Sequence, residues 1–436
     1  MRHSRSDLED GMGRTDGSHW FYSYLPMGIS GGATSTLIPL FAYALGGNLF
    51  NVGIIAAATS VASVPAFILW GGACDRRARR KPFLLIGFLG SGIALLAMAA
   101  SRTMSEFYLA NLLAGFLGAA SGPAGTVLLM ETSNRADWPS RLAIMSRMTA
   151  TGWVAGLALG VAWLATGPGL VGGGLTSMRF LFVIGAALAF SAGLVVQLAT
   201  REAATRVDRK DVHLVDAHPR VERGRYLPMR IVHFVGPRTD SAGNRLPRPL
   251  RAYLFSVLLL FGGFTAFYSF FPIFLSQVYG FGNPAIFAIY IASQLTSIAV
   301  YPRVAGWVSS RGSRPMQLYG SVGRSVLFSS FFLLGIVGLG DLPRLGLIVV
   351  LHAGVGACWA MINVASSTLV SHLAPEGARA RALGAFNAVQ GFGSIFGPLL
   401  GGLVAGVFGY GPAFATSVVL VLAGSGILWT TRISDT

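Results

Sequence analysis

Twelve apolar stretches, at 20–45, 49–72, 82–101, 106–131, 140–165, 178–199, 250–276, 284–306, 315–339, 344–372, 381–406 and 410–431, take up most of the 436 residues. A bilayer's hydrocarbon core is about 30 Å thick and is crossed by roughly 20 helical residues. Inside it an unpaired backbone N–H or C=O has no water to turn to, so each stretch must be helical. A soluble chain of this length would carry about a quarter charged residues. Here the figure is 11%, against 53% hydrophobic residues, 57 glycines and a mean hydropathy of +0.61. Small residues let helices approach closely in lipid. The composition excludes a soluble fold and predicts an all-α membrane protein of twelve transmembrane helices.

The basic residues orient it. With the N-terminus inside, cytoplasmic segments hold Arg2, Arg5, Arg14, the run from Arg76 to Lys81, Arg135, Arg141, the basic cluster of 201–251, Arg311, Arg314, Arg379, Arg381 and Arg432. The opposite side receives Arg102, Arg179 and Arg344. Arg and Lys accumulate beside the anionic inner leaflet, which places both termini in the cytoplasm. The net charge of +16 is read as this bias and not as a nucleic-acid surface. Cys74 and Cys358 have no metal-site spacing. The first apolar run is too long for a signal-peptide core and is expected to stay as the first helix. Arg far outnumbers Lys, and Ala and Gly are abundant, as in a prokaryotic chain from a GC-rich genome.

The organisation expected is a cytoplasmic tail at 1–19, a six-helix bundle at 20–199, a basic cytoplasmic loop at 200–249, a second bundle at 250–431 and a short tail at 432–436. Within the loop, 221–235 interleaves arginines with apolar residues. It reads either as a short helix on the anionic leaflet or as a tether. The bundles look like copies. Gly71-x-x-x-Asp75-Arg76 after span two recurs as Gly306-x-x-x-Ser310-Arg311 after span eight, with Pro82 and Pro315 opening the next spans. Gly32 and Pro39 in span one are echoed by Gly263 and Pro272 in span seven. Gly152, Gly156 and Gly160 in span five match Gly393, Gly397 and Gly401 in span eleven.

Gly71-x-x-x-Asp75-Arg76, continuing to Arg79 and Arg80, resembles motif A of the major facilitator superfamily of transporters, with Ala78 where the family has a second glycine. Together with the twelve spans, the central loop and the degenerate second copy, the resemblance covers nearly the whole chain. It implies two pseudo-symmetric six-helix bundles around a cavity that opens alternately to each side, with a small-molecule substrate and no catalysis. It also implies a cytoplasmic latch in the outward-open state, with Gly71, Asp75, Arg76, Arg79, Arg80 and Glu131 as the gate. Asp75 would face a helix N-terminus, where a carboxylate is favoured. Gly384, Gly393, Gly397-Pro398 and Gly401-Gly402 are similar to motif C of drug:proton antiporters, but the family places that motif in span five. Here the glycines are expected to form a smooth face for packing between the halves.

No acid lies near the middle of a span, so protons, if coupled, would need Asp75, Glu106, Glu131 or His352 in span ten. Arginines inside spans are costly and usually functional. Arg303 can snorkel, and Arg324 in a usually peripheral span is expected to be structural. Arg147 either binds an anionic group on the substrate or joins the gate with Glu131. Span seven carries Phe261, Phe264, Phe267, Tyr268, Phe270, Phe271 and Phe274, which point to an aromatic-lined site. Polar candidates at similar depth are Thr34, Thr36, Ser121, Thr265, Tyr268, Gln294, Trp359, Asn363 and Gln390. No nucleotide loop, metal cluster or nucleophile elbow occurs in the sequence, so neither a cofactor nor an enzyme activity is expected.

The expectation is therefore a monomeric secondary transporter in a prokaryotic cytoplasmic membrane, exporting an amphipathic or hydrophobic compound. Uptake or exchange of a hydrophilic, anionic metabolite stands as the alternative, and a transport-dead sensor or scaffold as a third.

Overall fold

The computed structural model describes residues 20–76, 79–132, 138–200, 247–337, 340–374 and 379–431. The central loop and both tails therefore lie outside the described residues. A short 3-10 turn, Trp20–Ser23, leads into fourteen α-helices, and no strand occurs among the described residues. The first half comprises α1 (Tyr24–Ser35), α2 (Leu37–Ala44), α3 (Leu49–Arg76), α4 (Lys81–Ala100), α5 (Met104–Gly118), α6 (Ser121–Glu131), α7 (Trp138–Val171) and α8 (Gly174–Ala199). The second comprises α9 (Arg248–Gln277), α10 (Asn283–Arg311), α11 (Ser313–Leu334), α12 (Asp341–Leu373), α13 (Arg379–Phe408) and α14 (Tyr410–Thr430).

Nine of these helices are long and apolar enough to cross a bilayer. The other five have physical reasons to fall short. Pro39 has no N–H for the Ser35 carbonyl, and Pro123 has none for the Ala119 carbonyl. The breaks between α1 and α2 and between α5 and α6 fall there. α11 is long enough but contains Arg324 and a series of serines. Where direction must reverse at once, glycine takes φ values closed to other residues. Gly312 (φ 87°) alone separates α10 from α11, and Gly409 (φ 84°) alone separates α13 from α14.

The two halves repeat each other's packing. α1 lies on α7 as α9 lies on α13, α3 on α5 as α10 on α12, and α4 on α8 as α11 on α14. The same chemistry recurs at matched places. Ser30 Oγ donates to the Gly185 carbonyl at 2.7 Å, joining α1 to α8. Ser256 Oγ donates to the Gly424 carbonyl at 2.7 Å, joining α9 to α14. In lipid there is little hydrophobic force between helices, so close van der Waals contact and such hydrogen bonds hold the bundle.

The glycine faces correct one expectation in part. Gly152, Gly156, Gly397 and Gly401 pack within their own half, and only Gly160 and Gly402 of these faces reach the other half among the described residues. A β-carbon at Gly152 would stand 2.4 Å from the Leu25 carbonyl oxygen, and one at Gly156 2.1 Å from that of Ile29, both on α1. In the second half, β-carbons at Gly397 and Gly401 would stand 2.3 and 2.4 Å from the Gly262 and Ala266 carbonyl oxygens of α9.

The halves meet along α3–α13 and α7–α10, mainly at the end away from the arginine run. There Gly53 faces the Pro398 carbonyl and Gly402, Gly406 faces Phe50, and Gly160 lies under the Phe287 ring. Gln277 of α9 donates to the Tyr43 hydroxyl of α2 and accepts from Tyr410 of α14. Contact along α3–α13 continues to Val64 and Gly391. Beyond it, toward the basic end, no atom of the described residues stands within 4 Å of where a β-carbon would sit at Gly71, Gly72, Gly306 or Gly384.

Candidate functional site

The aromatic cluster of α9 is first of all a core. Phe264, Phe267, Phe270, Phe271 and Phe274 are all buried inside the second half. Phe267 stacks on Phe328 with ring centroids 3.6 Å apart and meets Phe414 edge-on at 5.6 Å. Such pairs contribute about 0.5–1.5 kcal/mol each beyond burial. The expected aromatic lining therefore shrinks to Phe261 and Tyr268 on α9, both half-buried, with Trp359 of α12 at 6.0 Å from Phe261.

Behind these rings lies Arg324, 3% exposed. Its guanidinium carbon sits 4.3 Å from the Phe264 ring centre, 5.3 Å from Trp359, 5.4 Å from Tyr268 and 5.5 Å from Phe328. Neither Nε nor Nη1 has a hydrogen-bond acceptor. Cation–π contact with a desolvated arginine is worth about 2 kcal/mol or more. The desolvation cost of an ion is several kcal/mol. The rings therefore offset only part of it. Arg303, in contrast, is exposed and donates to the Ala299 carbonyl at 3.1 Å.

His352, the candidate proton site, is fully buried on the far side of Tyr268. Its Nδ1 lies 3.0 Å from the Ile289 carbonyl oxygen, and its ring stacks on Phe271 at 5.5 Å. Nε2 has no partner. Glu106, another proton candidate, is a helix cap. Its carboxylate accepts from the Arg102 N–H at 2.6 Å while Thr103 Oγ1 accepts from the Glu106 N–H at 3.3 Å.

At the basic end, Arg80 binds Glu131 through one guanidinium edge, Nη2 to Oε1 at 2.8 Å and Nε to Oε1 and Oε2 at 3.1 and 3.2 Å. Arg80 also donates to the Cys74 carbonyl, so it ties the end of α3 to the end of α6. The hydrogen bond to Glu131 raises the Arg80 pKa further above its ordinary value. Lys81 Nζ caps the end of α8, donating to the Gln197 and Thr200 carbonyls at 2.8 and 3.1 Å. Arg79 is exposed. Asp75 and Arg76 close α3, but their side chains lie outside what is described.

This arrangement of paired bundles is matched in sequence. A sequence model of the Major Facilitator Superfamily matches residues 20–350 and 304–435. The chain belongs to the Major Facilitator Superfamily. Members of this superfamily are membrane transporters, and the chain is accordingly an integral membrane transport protein and not an enzyme. A mutant of the nucleoside transporter NupG has the same fold at 19% identity, covering 94% of this chain and 98% of that one with a TM-score of 0.70. The D-xylose-proton symporter matches at 15% identity over 97% of both chains, with a TM-score of 0.67. In sequence, multidrug resistance protein MdtG of Serratia proteamaculans (strain 568) is 28% identical over 205 residues, 44% of this chain. That match spans 46% of the relative's own length.

For a superfamily member, the polar candidates divide sharply. Thr34 and Thr36 are buried, and Thr34 donates to the Ser30 carbonyl at 2.8 Å and fills the space over Gly185. Ser121 lies against Gly87 of α4 and donates to Gly118 at 2.9 Å. Thr265 donates to the Gly393 carbonyl at 2.9 Å on α13. The hydroxyls of Thr34, Ser121 and Thr265 are thus engaged by backbone carbonyls, Thr265 across to α13. Gln294, Trp359 and Gln390 are half-buried, and Asn363 is exposed and donates to the Tyr301 hydroxyl at 3.2 Å. Arg147 is exposed and has no ion-pair partner among the described residues. Glu131, its expected partner, is held by Arg80. The sequence marks Arg324 as a charge inside a span, but the usually peripheral place of that span points to a structural role. The signal that could have recovered it was the absence of any carboxylate in its own or neighbouring spans.

Proposed function

We propose that this protein is an alternating-access transporter with cytoplasmic termini, resting here open to the cytoplasm. Counting α1 with α2 and α5 with α6 as broken spans, and adding α11, brings the nine long helices to twelve. The observation that carries the reading is the asymmetry between the two ends. Backbone contacts and the Tyr43–Gln277–Tyr410 bridge join the halves at one end, and among the described residues nothing packs on Gly71 or Gly384 at the other. The positive-inside bias makes the open end cytoplasmic. Asp75, with Arg76 and the Arg80–Glu131 pair behind it, would latch the opposite state. Arg147 belongs to this mouth, free to meet either an anionic solute or a gate carboxylate when the halves close.

The substrate is read as an amphipathic organic compound moved outward through the cytoplasmic membrane of a prokaryote. Half-buried Phe261, Tyr268 and Trp359 supply the apolar wall, and Gln294, Asn363 and Gln390 supply a few hydrogen-bonding groups. The partial similarity to a multidrug resistance protein supports export. The test joins Tyr43→Cys to Gln277→Cys by an oxidative cross-link, in a chain with Cys74→Ser and Cys358→Ser. Expression of the reduced form should lower cellular accumulation of amphipathic dyes, and the cross-linked form should not. Dye export that persists with the outer end covalently shut would refute the reading.

A further inference from the structure

Arg324 stands roughly 16 Å along α11, in the middle of the bilayer. An arginine cannot shed its proton to escape the cost of burial. Buried cations are therefore paired, and this one has no ion-pair partner among the described residues. The six helices of the second half carry a single carboxylate, Asp341, which sits at the start of α12 and pairs with Arg344 at 3.7 Å. Nε and Nη1 of Arg324 are buried without acceptors, and Nε2 of His352, across the shared Tyr268 ring, is likewise without a partner. The guanidinium donors of Arg324 thus sit in an aromatic box, in a half whose described helices supply no anion to them; His352 donates through Nδ1 to the Ile289 carbonyl, which leaves Nε2 an acceptor.

The box has a door. Of the rings on Arg324, Phe264 and Phe328 are buried, while Tyr268 and Trp359 are half-buried and stand beside half-buried Phe261. A rotation of Trp359, whose ring meets half-buried Phe261, would expose the guanidinium without disturbing the phenylalanine core. Planar guanidinium matches the two oxygens of a carboxylate, and the rings match an apolar or aromatic body attached to it.

We propose that Arg324 anchors a buried monovalent-anion site in the second half, taking the carboxylate of an amphipathic organic anion. This rests on the transporter reading and narrows its substrate to a compound with one negative group on an apolar frame. A free inorganic anion such as chloride would satisfy the same donors, and the experiment separates the two sources.

The full-length protein, purified in detergent with gluconate as the background anion, is unfolded thermally with sodium benzoate, with its neutral amide benzamide, and with sodium chloride. Near saturation, benzoate should raise the midpoint by about 2 °C or more. Benzamide should do much less, and the benzoate effect should vanish in Arg324→Gln. A shift from chloride alone, lost in Arg324→Gln, also supports the site and identifies its occupant as inorganic. Equal stabilisation by acid and amide overturns the proposal, as does no shift from either anion or a shift that survives Arg324→Gln. If Arg324→Gln does not fold, the wild-type contrast between benzoate and benzamide decides alone, and Arg324→Lys, which keeps the charge, should keep part of the benzoate shift. Binding is read here without transport. A protein that binds benzoate but exports nothing loses the transporter reading alone, and one that exports dyes yet ignores both anions loses this inference alone.

Discussion

Replacing Gly53 with alanine should push the two halves apart at their closed end. The added β-carbon would stand 2.4 Å from the Pro398 carbonyl oxygen and 2.9 Å from Gly402 Cα, both backbone atoms of α13 that no rotamer change can move. Ordinary contact begins at 3.4 Å, so α3 and α13 must part by about 1 Å at that level. Overpacking of this kind costs about 1–3 kcal/mol. If the clash exists only while the outer end is shut, the whole cost falls on that state. The ratio of the two conformers then shifts by a factor of about 5 to 150. Cysteine labelling reads it in a chain carrying Cys74→Ser and Cys358→Ser. Gly384→Cys reports the cytoplasmic mouth, and Leu49→Cys reports the outer contact with Gly402 and Gly406. Gly53→Ala should slow labelling at 384 and speed it at 49. Gly71→Ala, with no described residue against it, should change neither. Unchanged labelling at both positions together with a lowered unfolding temperature would refute the reasoning. The contact would then be a static interface and not a gate.

The glycines of the ladder should behave differently. Gly152→Ala and Gly397→Ala clash within a half, so each should lower stability by about 1–3 kcal/mol in thermal unfolding while leaving the ratio of labelling at the two mouths as in the parent. Arg80→Ala and Glu131→Ala should each cost little, because the pair is part-exposed at 14% and 43%. A double-mutant cycle should return a coupling of about 0.2–1 kcal/mol that shrinks as salt is added. Ser30→Ala and Ser256→Ala remove matched interhelical hydrogen bonds, and each should cost about 0.6 kcal/mol, an equal loss in the two halves on thermal unfolding. Glu106→Ala removes the N3 half of a capping box and should lower the unfolding temperature slightly, while the pH profile of transport stays that of the wild type.

What the sequence determined by itself was whatever a bilayer or a chain segment reads locally. Long apolar runs must be helical because lipid offers no partner to the backbone. The arginine bias fixes an expected orientation, and the Gly71–Arg80 segment carries the family resemblance, since both are linear properties. Repeated glycine spacings announced two copies before any contact was known. Only the tertiary structure decided which way side chains face. These spans are apolar on nearly every side, so periodicity yields a helix without saying which flank meets lipid, a neighbour or the cavity. That is why the hydroxyls of Thr34, Ser121 and Thr265 turned out to be engaged by backbone carbonyls, and why the Phe cluster of α9 became core. It is also why Gly152 and Gly401 pack within a half whereas Gly53 and Gly402 reach across. Arg324 is the plainest case. Its cost was readable from sequence, but of the four rings around it only Phe328 shares its helix, and only the docking of α9 and α12 could bring Phe264, Tyr268 and Trp359 to the same charge.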